Sequence, residues 1–489
     1  MKYVLGIDIG TGSVKAVAVN LEGQSIEVCQ QHYSFSAPQP GYYEQDPEQI
    51  WQAFQNCIKE IIVKIGSKPL GIGLSSAMHS LIAVDAHCNA LYPMITWADN
   101  RSASIATRLR SSAEGLAIYE ATGTPLHAMS PLCKIIWMRE NNVALFNKTY
   151  KFIAIKEYIC HKLFGEFVID HSSASCTGLF DIVKLHWYQD ALGMAGISEE
   201  LLSRPVPTDH TEIYHPIKGL DLIQHDVPFV IGASDGCLAN LGSMADKPGI
   251  AAMTIGTSGA VRIASRKPLP NTEAMTFSYI LDEKTFICGG PINNGGVALQ
   301  WWLRNNTDGE PTDKDYSNLF SDIAKTPAGS NGLVFLPYLT GERAPIWDSE
   351  SCGVFFGIKL QHTRAHFSRA VLEGICYAMK DVLDAVQKNS EPITQINVSG
   401  GITKSDVWVQ TLANITGINM AVLQTGDASA VGAGLVALKS IGLISTYPTL
   451  EANLKLFKPD AKNVALYTER FGVYKQIYRD LKGVMHGVE

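Results

Sequence analysis

The chain has 489 residues, 46% of them hydrophobic and 18% charged, which is enough apolar material for substantial buried cores and carries no signature of disorder. Its net charge of −7, with no basic block, argues against nucleic acid or a membrane surface as a partner, so any bound anion must be held by local groups. The length accommodates roughly three average domains or two large α/β units.

The first predicted element is a strand over residues 3–9 with a single acid, Asp8, turning at Gly10-Thr11-Gly12 into a second apolar run over 14–19. Glycines let this backbone aim several N–H groups at one anion, the Thr11 and Ser13 hydroxyls add donors, and Asp8 is placed to hold a metal through water. Alternation leaves open whether Lys15 faces the turn or solvent. A helix over 47–65 is followed by a strand over 69–74 that opens into S-S-A-M-H-S. A strand over 227–231 ends in G-A-S-D-G before a helix of small residues, and D-K-P-G at 246–249 breaks the pattern. That break divides the chain into units 1–246 and 247–489. The second unit opens with A-M-T-I-G-T-S-G-A-V-R-I, the same hairpin with Thr254 where Asp8 stood. An irregular stretch runs to about 341, then a helix over 366–387, a strand over 396–399 into G-G-I-T-K-S-D, and a helix over 430–439. None of the ten cysteines has C-x-x-C or zinc-type spacing, so they read as reduced core residues of a cytoplasmic protein. No apolar run reaches membrane-spanning length.

One G-T-G hairpin alone reads equally well as a tight turn. Two of them, one per half, point to a nucleotide held in a cleft between duplicated domains. Longer motifs make the resemblance specific. Met129-Ser130-Pro131, Lys134-Ile135, Trp137-Met138 and Glu140-Asn141 form one signature; G-V-F-F-G-I at 353–358, His366-Phe367 and Ala370-Val371-Leu372-Glu373 form another. With G-I-D-I-G-T-G-S and S-G-G-I-T-K-S, the chain resembles the FGGY carbohydrate kinases over essentially its whole length. The resemblance implies an α/β fold of two ribonuclease-H-like domains, of the actin and hexokinase ATPase type, with a central cleft for Mg-ATP and a sugar. Four segments, S-S-A-M-H-S, T-W-A-D-N-R-S, G-G-P-I-N-N-G-G and Y-L-T-G-E-R-A-P-I-W-D, look most like the gluconate-specific branch, although xylulose-specific members share the Met-His pair and G-E-R-x-P. The implied reaction is transfer of the γ-phosphate to a terminal hydroxyl of a sugar acid, D-gluconate to 6-phosphogluconate, with a pentulose as the alternative acceptor.

Such chemistry needs a carboxylate aimed at the attacking hydroxyl, and Asp235 is the expected base; a helix cap is its alternative role. By the same resemblance Asp8 belongs to the metal shell, and Gly10, Thr11, Gly12 and Ser13 lie near the transferred phosphate. Gly256, Thr257 and Ser258 are expected at the nucleotide phosphates and Gly400 and Gly401 at adenine or ribose. Ser405 stands where many relatives have Asn. Met78, His79, Asp99 and Arg101 are expected at the sugar. For a substrate carboxylate, Arg101, Arg343 and Lys134 compete, with Asn293 and Asn294 as neutral donors. Three rival readings exist: an esterase using Ser234 of G-A-S-D-G, a dinucleotide site at the G-x-G-x-x-A of 432–437, and a non-catalytic sugar sensor. No H-G-G-G-type oxyanion loop accompanies Ser234, and small residues for helix packing explain 432–437 better. Stereochemistry is open, as is assembly as monomer or homodimer.

Overall fold

The computed structural model describes residues 2–487 except 214–219, 221–222, 224–226, 424–426 and 449–453. In the first half, β1 (Val4–Ile9), β2 (Ser13–Val19) and β3 (Ser25–His32) form an antiparallel meander, and β4 (Ile72–Ser76) pairs parallel to β1. With β5 (Thr211–Ile213) and β6 (Pro228–Ser234) they make a six-stranded sheet in the order β5-β6-β4-β1-β2-β3. Helices α1 (Pro47–Ile65), α2 (Pro131–Asn141), α3 (Ile155–Phe164) and α4 (Asp235–Gly242) belong to this half. The α1 span agrees with the sequence reading because both ends are written locally: Asp46 caps it with Pro47 in the first turn, and Gly66 ends it at φ 71°.

The second half repeats the plan. Strands β7 (Ile250–Ile255), β8 (Gly259–Ser265), β9 (Phe277–Asp282) and β10 (Thr285–Ile292) lead into β11 (Gln395–Gly400), β12 (Asn419–Val422) and β13 (Lys455–Phe457), ordered β9-β10-β8-β7-β11-β12-β13. In both sheets a hairpin's first strand is paired in parallel with the strand that follows the hairpin and a helical crossover. The equivalence extends to side chains: Asp8 lies opposite Ser75 across β1–β4, and Thr254 opposite Ser399 across β7–β11. Helices α5 (Gly296–Arg304), α6 (Arg364–Gln387), α7 (Asp406–Thr416), α8 (Ala428–Ser440) and α9 (Ala461–Met485) complete it.

Strand alternation decides which side of the first sheet each residue serves. Leu5, Ile7 and Ile9 join the core with Ile50, Phe54 and Ile58 of α1, whereas Val4 joins Leu238 of α4 and Ala430, Ala433 and Ala437 of α8. Asp8 shares parity with Val4 and Gly6, so it projects toward α8. Although α8 comes from the second half of the sequence, it lies on the first sheet. A Cβ on Gly6 would fall 1.7 Å from the Ala430 carbonyl oxygen, and one on Gly73 would fall 2.1 Å from that of Ala433. Gly432 in turn approaches Leu238 backbone, where a Cβ would meet its oxygen at 2.1 Å. The G-x-G-x-x-A of 432–437 is therefore a helix-packing surface.

Two sequence expectations change. The strand expected over 227–231 extends to Ser234 through a bulge between Val230 and Ala233, where Gly232 takes φ 65°. The stretch thought irregular contains β9, β10, α5 and a helix at Asp313–Lys325. Its signal is weak in overall hydrophobicity because that helix buries only Leu319 and Ile323, and Gly289, Gly290 and Pro291 dilute β10. From the α8 contact, Gly6→Ala is expected to lower the free energy of unfolding by about 2–4 kcal/mol in urea titration, because backbone cannot retreat as a side-chain tip can. Gly472→Ala in α9, where a Cβ meets nothing within 4 Å, should leave stability equal or slightly higher.

Candidate active site

Two cavities meet between the sheets. One, of about 300 Å³, is lined by Thr11, Met78, His79, Trp97, Asp235, Gly256, Ser258, Arg262, Tyr279 and Arg343. The other, of about 420 Å³, is lined by Asp8, Lys15, Ser399, Gly400, Thr403, Asp427 and Ser429. Thr254 borders both.

The two glycine hairpins supply the roof between them. Gly10 and Gly256 close the turns by donating N–H to the Ser13 and Ser258 carbonyls at 3.0 and 2.9 Å. The N–H groups of Thr11, Gly12, Thr257 and Ser258 have no acceptor among the described residues, and a Cβ on Gly12 or Gly256 would touch nothing. These are free donors on open backbone, suited to phosphate oxygens. Packing fixes both turns: Trp97 Nε1 donates to Thr11 Oγ1 at 2.8 Å and Gln45 Nε2 to the Thr11 carbonyl at 2.6 Å, while the Gly256 carbonyl accepts from Gly296 N at the start of α5. The Ser13 hydroxyl is engaged by Gln30 on β3 and lines neither cavity.

Asp235 is the first residue of α4, one residue beyond the bulged end of β6. Its Oδ1 accepts the Gly236 N–H at 2.6 Å, a cap-like contact, and the residue also lines the first cavity. Lys156 of α3, paired with Asp170 at 2.6 Å, donates to the Ile231 and Ala233 carbonyls and so braces the bulge that aims it. Burial raises the Asp235 pKa, the negative Asp8 raises it further, and Arg262 opposes both. Asp8 accepts from Ser75 Oγ at 2.7 Å, and burial likewise raises its pKa. Lys15 faces this side and pairs with Asp427 at the start of α8.

At the other end His79 holds a left-handed backbone, φ 66°. Its Nδ1 contacts the Cys176 carbonyl at 2.8 Å, which makes Nδ1 the protonated nitrogen and leaves Nε2 to accept from Tyr279 Oη at 3.3 Å. Burial, then the charge of Lys134, lowers its pKa to about 3, so the ring is neutral. Lys134 does not line the cavity. From α2 its Nζ donates to the His79 and Thr96 carbonyls at 2.5 and 2.7 Å and clamps the strained turn.

Four expected sugar contacts stand elsewhere. Arg101 bonds both oxygens of Asp99 at 2.8 Å and Glu44 at 2.6 Å, under the ring of Tyr42. Asp99 also accepts from Tyr43 N at 2.7 Å, and neither residue lines the cavity. This buried, bidentate pair commits Nε and Nη2 of Arg101 to carboxylates; it braces the loop carrying Trp97. Asn294 is buried, with Nδ2 on the Gly341 carbonyl at 2.7 Å and Glu342 at 3.0 Å. Asn293 contacts Glu342, Thr340 and Gly341. Both asparagines hold the segment before Arg343, which does line the cavity. Of the residues expected at the nucleotide, Gly400 takes φ 88° and lines the second cavity, with Gly401 following it, but Ser405 is buried at the start of α7, away from the lining.

Sequence reading passed over Arg262 and Thr403. The signal for Arg262 was available: a lone cation in the otherwise apolar strand β8. The esterase reading fails on geometry, since Ser234 Oγ is buried against Ser172 Oγ at 3.0 Å, with no histidine hydrogen-bonded to it among the described residues.

Models of the FGGY carbohydrate kinases match twice, the N-terminal domain over residues 3–242 and the C-terminal domain over 251–441. The chain belongs to the FGGY family of carbohydrate kinases. Membership makes it a carbohydrate kinase with ATP as phosphoryl donor. It is 40% identical over 458 residues to a gluconokinase of Bacillus subtilis, covering 91% of this chain and 89% of that one. A xylulose kinase of Lactococcus lactis is 30% identical, with 99% and 98% covered. Among solved structures, a ligand-bound xylulose kinase and a gluconate kinase, both from Lactobacillus acidophilus, are each 33% identical. They superpose with TM-scores of 0.93 and 0.92, covering 99% and 98% of both chains. Among the described residues no helix is long and apolar enough to cross a membrane.

Because Lys134 satisfies two carbonyls at once, Lys134→Met should lower stability by about 2–4 kcal/mol and raise KM for the sugar more than KM for ATP. Equal effects on the two KM values would remove its link to the His79 turn.

Proposed function

We propose that the chain is a gluconokinase, carrying the γ-phosphate of Mg-ATP to the terminal hydroxyl of D-gluconate to give 6-phosphogluconate. The observation that carries this reading is the content of the first cavity: a carboxylate of raised pKa, Asp235, enclosed with two arginines and opening onto both phosphate hairpins. The higher identity to a gluconokinase than to a xylulose kinase supports the acid as substrate. We take residues 1–246 as the unit bearing the base and the metal carboxylate, and 247–489 as the nucleotide unit. ATP and the ten unpaired cysteines suit the cytoplasm.

In this reading the sugar lies on Met78 and His79 with its terminal hydroxyl at Asp235. A carboxylate of raised pKa is a stronger proton acceptor than an ordinary one, and it takes the hydroxyl proton as the oxygen attacks phosphorus. The free N–H groups of the two hairpins hold the phosphate oxygens and keep the transferred group in line. Gly400 lets the nucleotide pass close to β11.

The donor set also fits magnesium. Asp8 is a hard oxygen donor beside the first hairpin, and no group of three His, Cys, Asp or Glu among the described residues forms a cage of its own. An ion there would be held by ATP phosphates and water with Asp8 in the outer shell, where it neutralises phosphate charge.

A coupled ADP-release assay tests the function. Release should require a sugar and be faster with D-gluconate than with D-xylulose, and Asp235→Asn should cut kcat by about 10²–10⁴ with near-normal ligand affinities. Faster turnover with xylulose would overturn the substrate, and nearly full activity in Asp235→Asn would return that residue to a helix cap. Independently, Asp8→Asn should raise the magnesium concentration needed for half-maximal rate, with partial rescue by excess metal; an unchanged magnesium curve would make Asp8 structural.

A further inference from the structure

Four arginines, three buried and Arg262 half-buried, fall into two groups. Arg101 is neutralised by Asp99 and Glu44, and Arg369 by Glu373 at 2.8 Å. Arg262 and Arg343 have no such partner. Among the described residues neither makes an ion pair within 4.0 Å, and the Nε of each is a buried donor with no acceptor. Arg343 spends one Nη2 hydrogen bond on the Ile292 carbonyl at 3.1 Å, and its guanidinium lies 5.3 Å from the Trp97 ring. Its neighbour Glu342 is already occupied by Asn293, Asn294 and the Arg343 backbone N–H. Two unpaired cations enclosed together are costly unless an anion completes them.

The two arginines come from different elements, β8 and the segment after Gly341, and line the same cavity as Asp235. Arg262 leans over the start of α4, where a Cβ on Gly236 would come 3.3 Å from its Nε. Its charge stabilises the Asp235 carboxylate and destabilises the Arg343 guanidinium, whose pKa falls to about 10 chiefly through burial. The base and both cations thus face one cavity. A chain molecule with a hydroxyl for the base and an anion for the arginines suits that lining.

We propose that Arg262 and Arg343 jointly bind the carboxylate of the sugar acid and select it over neutral sugars. This rests on the gluconokinase reading and assigns the acid-recognising role to Arg262 as well as Arg343. Two forked donors from separate elements would grip a planar carboxylate, and a neutral isostere would leave both cations unmatched.

The test compares D-gluconate with D-gluconamide, its uncharged isostere, in the full-length protein. Unmodified protein should show a kcat/KM for gluconate at least about 10²-fold above that for gluconamide. Arg262→Met and Arg343→Met should each lose gluconate kcat/KM by about 10²-fold more than gluconamide kcat/KM, mainly through KM, and Arg262→Lys should recover part of the preference. Parallel losses on both compounds, with the preference intact, would overturn the proposal while leaving the gluconokinase reading in place. Should either variant fail to fold, calorimetry on unmodified protein decides: equal affinities for gluconate and gluconamide would overturn the proposal, and a tighter, salt-sensitive gluconate complex would support it. A protein that phosphorylates xylulose and ignores gluconate would overturn both readings.

Discussion

The arrangement of this protein depends on a line of backbone contacts where no side chain fits. Gly6 and Gly73 of the first sheet admit the carbonyls of Ala430 and Ala433, Gly242 admits that of Ala428, and Gly432 admits that of Leu238. These contacts seat α8, an element of the second half, on the first sheet and against α4. Asp8 projects from the strand beneath α8, Asp427 stands at its start, and Asp235 begins the helix beside it. A looser seat would separate the carboxylates, the hairpins and the Lys15–Asp427 bridge that borders the second cavity.

Electrostatics then divides support from chemistry. Several buried ions that hold the frame are paired: Arg101 with Asp99 and Glu44, Lys156 with Asp170, Arg369 with Glu373. Those facing the first cavity are left incomplete, with Asp235 raised in pKa and Arg262 and Arg343 short of partners. Such incompleteness costs stability, which a ligand of opposite charge would offset.

Much of this was legible in the sequence where the signal is local. Each hairpin announces itself through a short glycine turn between apolar strands, whereas Asp235, which follows a strand and opens a helix, was singled out by the family resemblance. What escaped depended on partners far along the chain. Asp99 and Arg101 are polar residues in a dense motif, and only the fold reveals that Glu44 and Tyr43 have already engaged them. Asn293 and Asn294 look like ligand donors until Gly341 and Glu342 come into contact with them. The seating of α8 on the first sheet is invisible in its small residues, which fit any close helix contact. Arg262 lay in plain view within the repeated hairpin, but similarity to β2 drew attention to the turn and away from the strand behind it.

The most direct measurement is a crystal structure with ADP, magnesium and D-gluconate bound together. The account requires the terminal hydroxyl within hydrogen-bond distance of Asp235, the ADP phosphates on the 256–258 hairpin, and the carboxylate between Arg262 and Arg343. A sugar seated with its carboxylate on Arg101, or with its terminal hydroxyl away from Asp235, would contradict it.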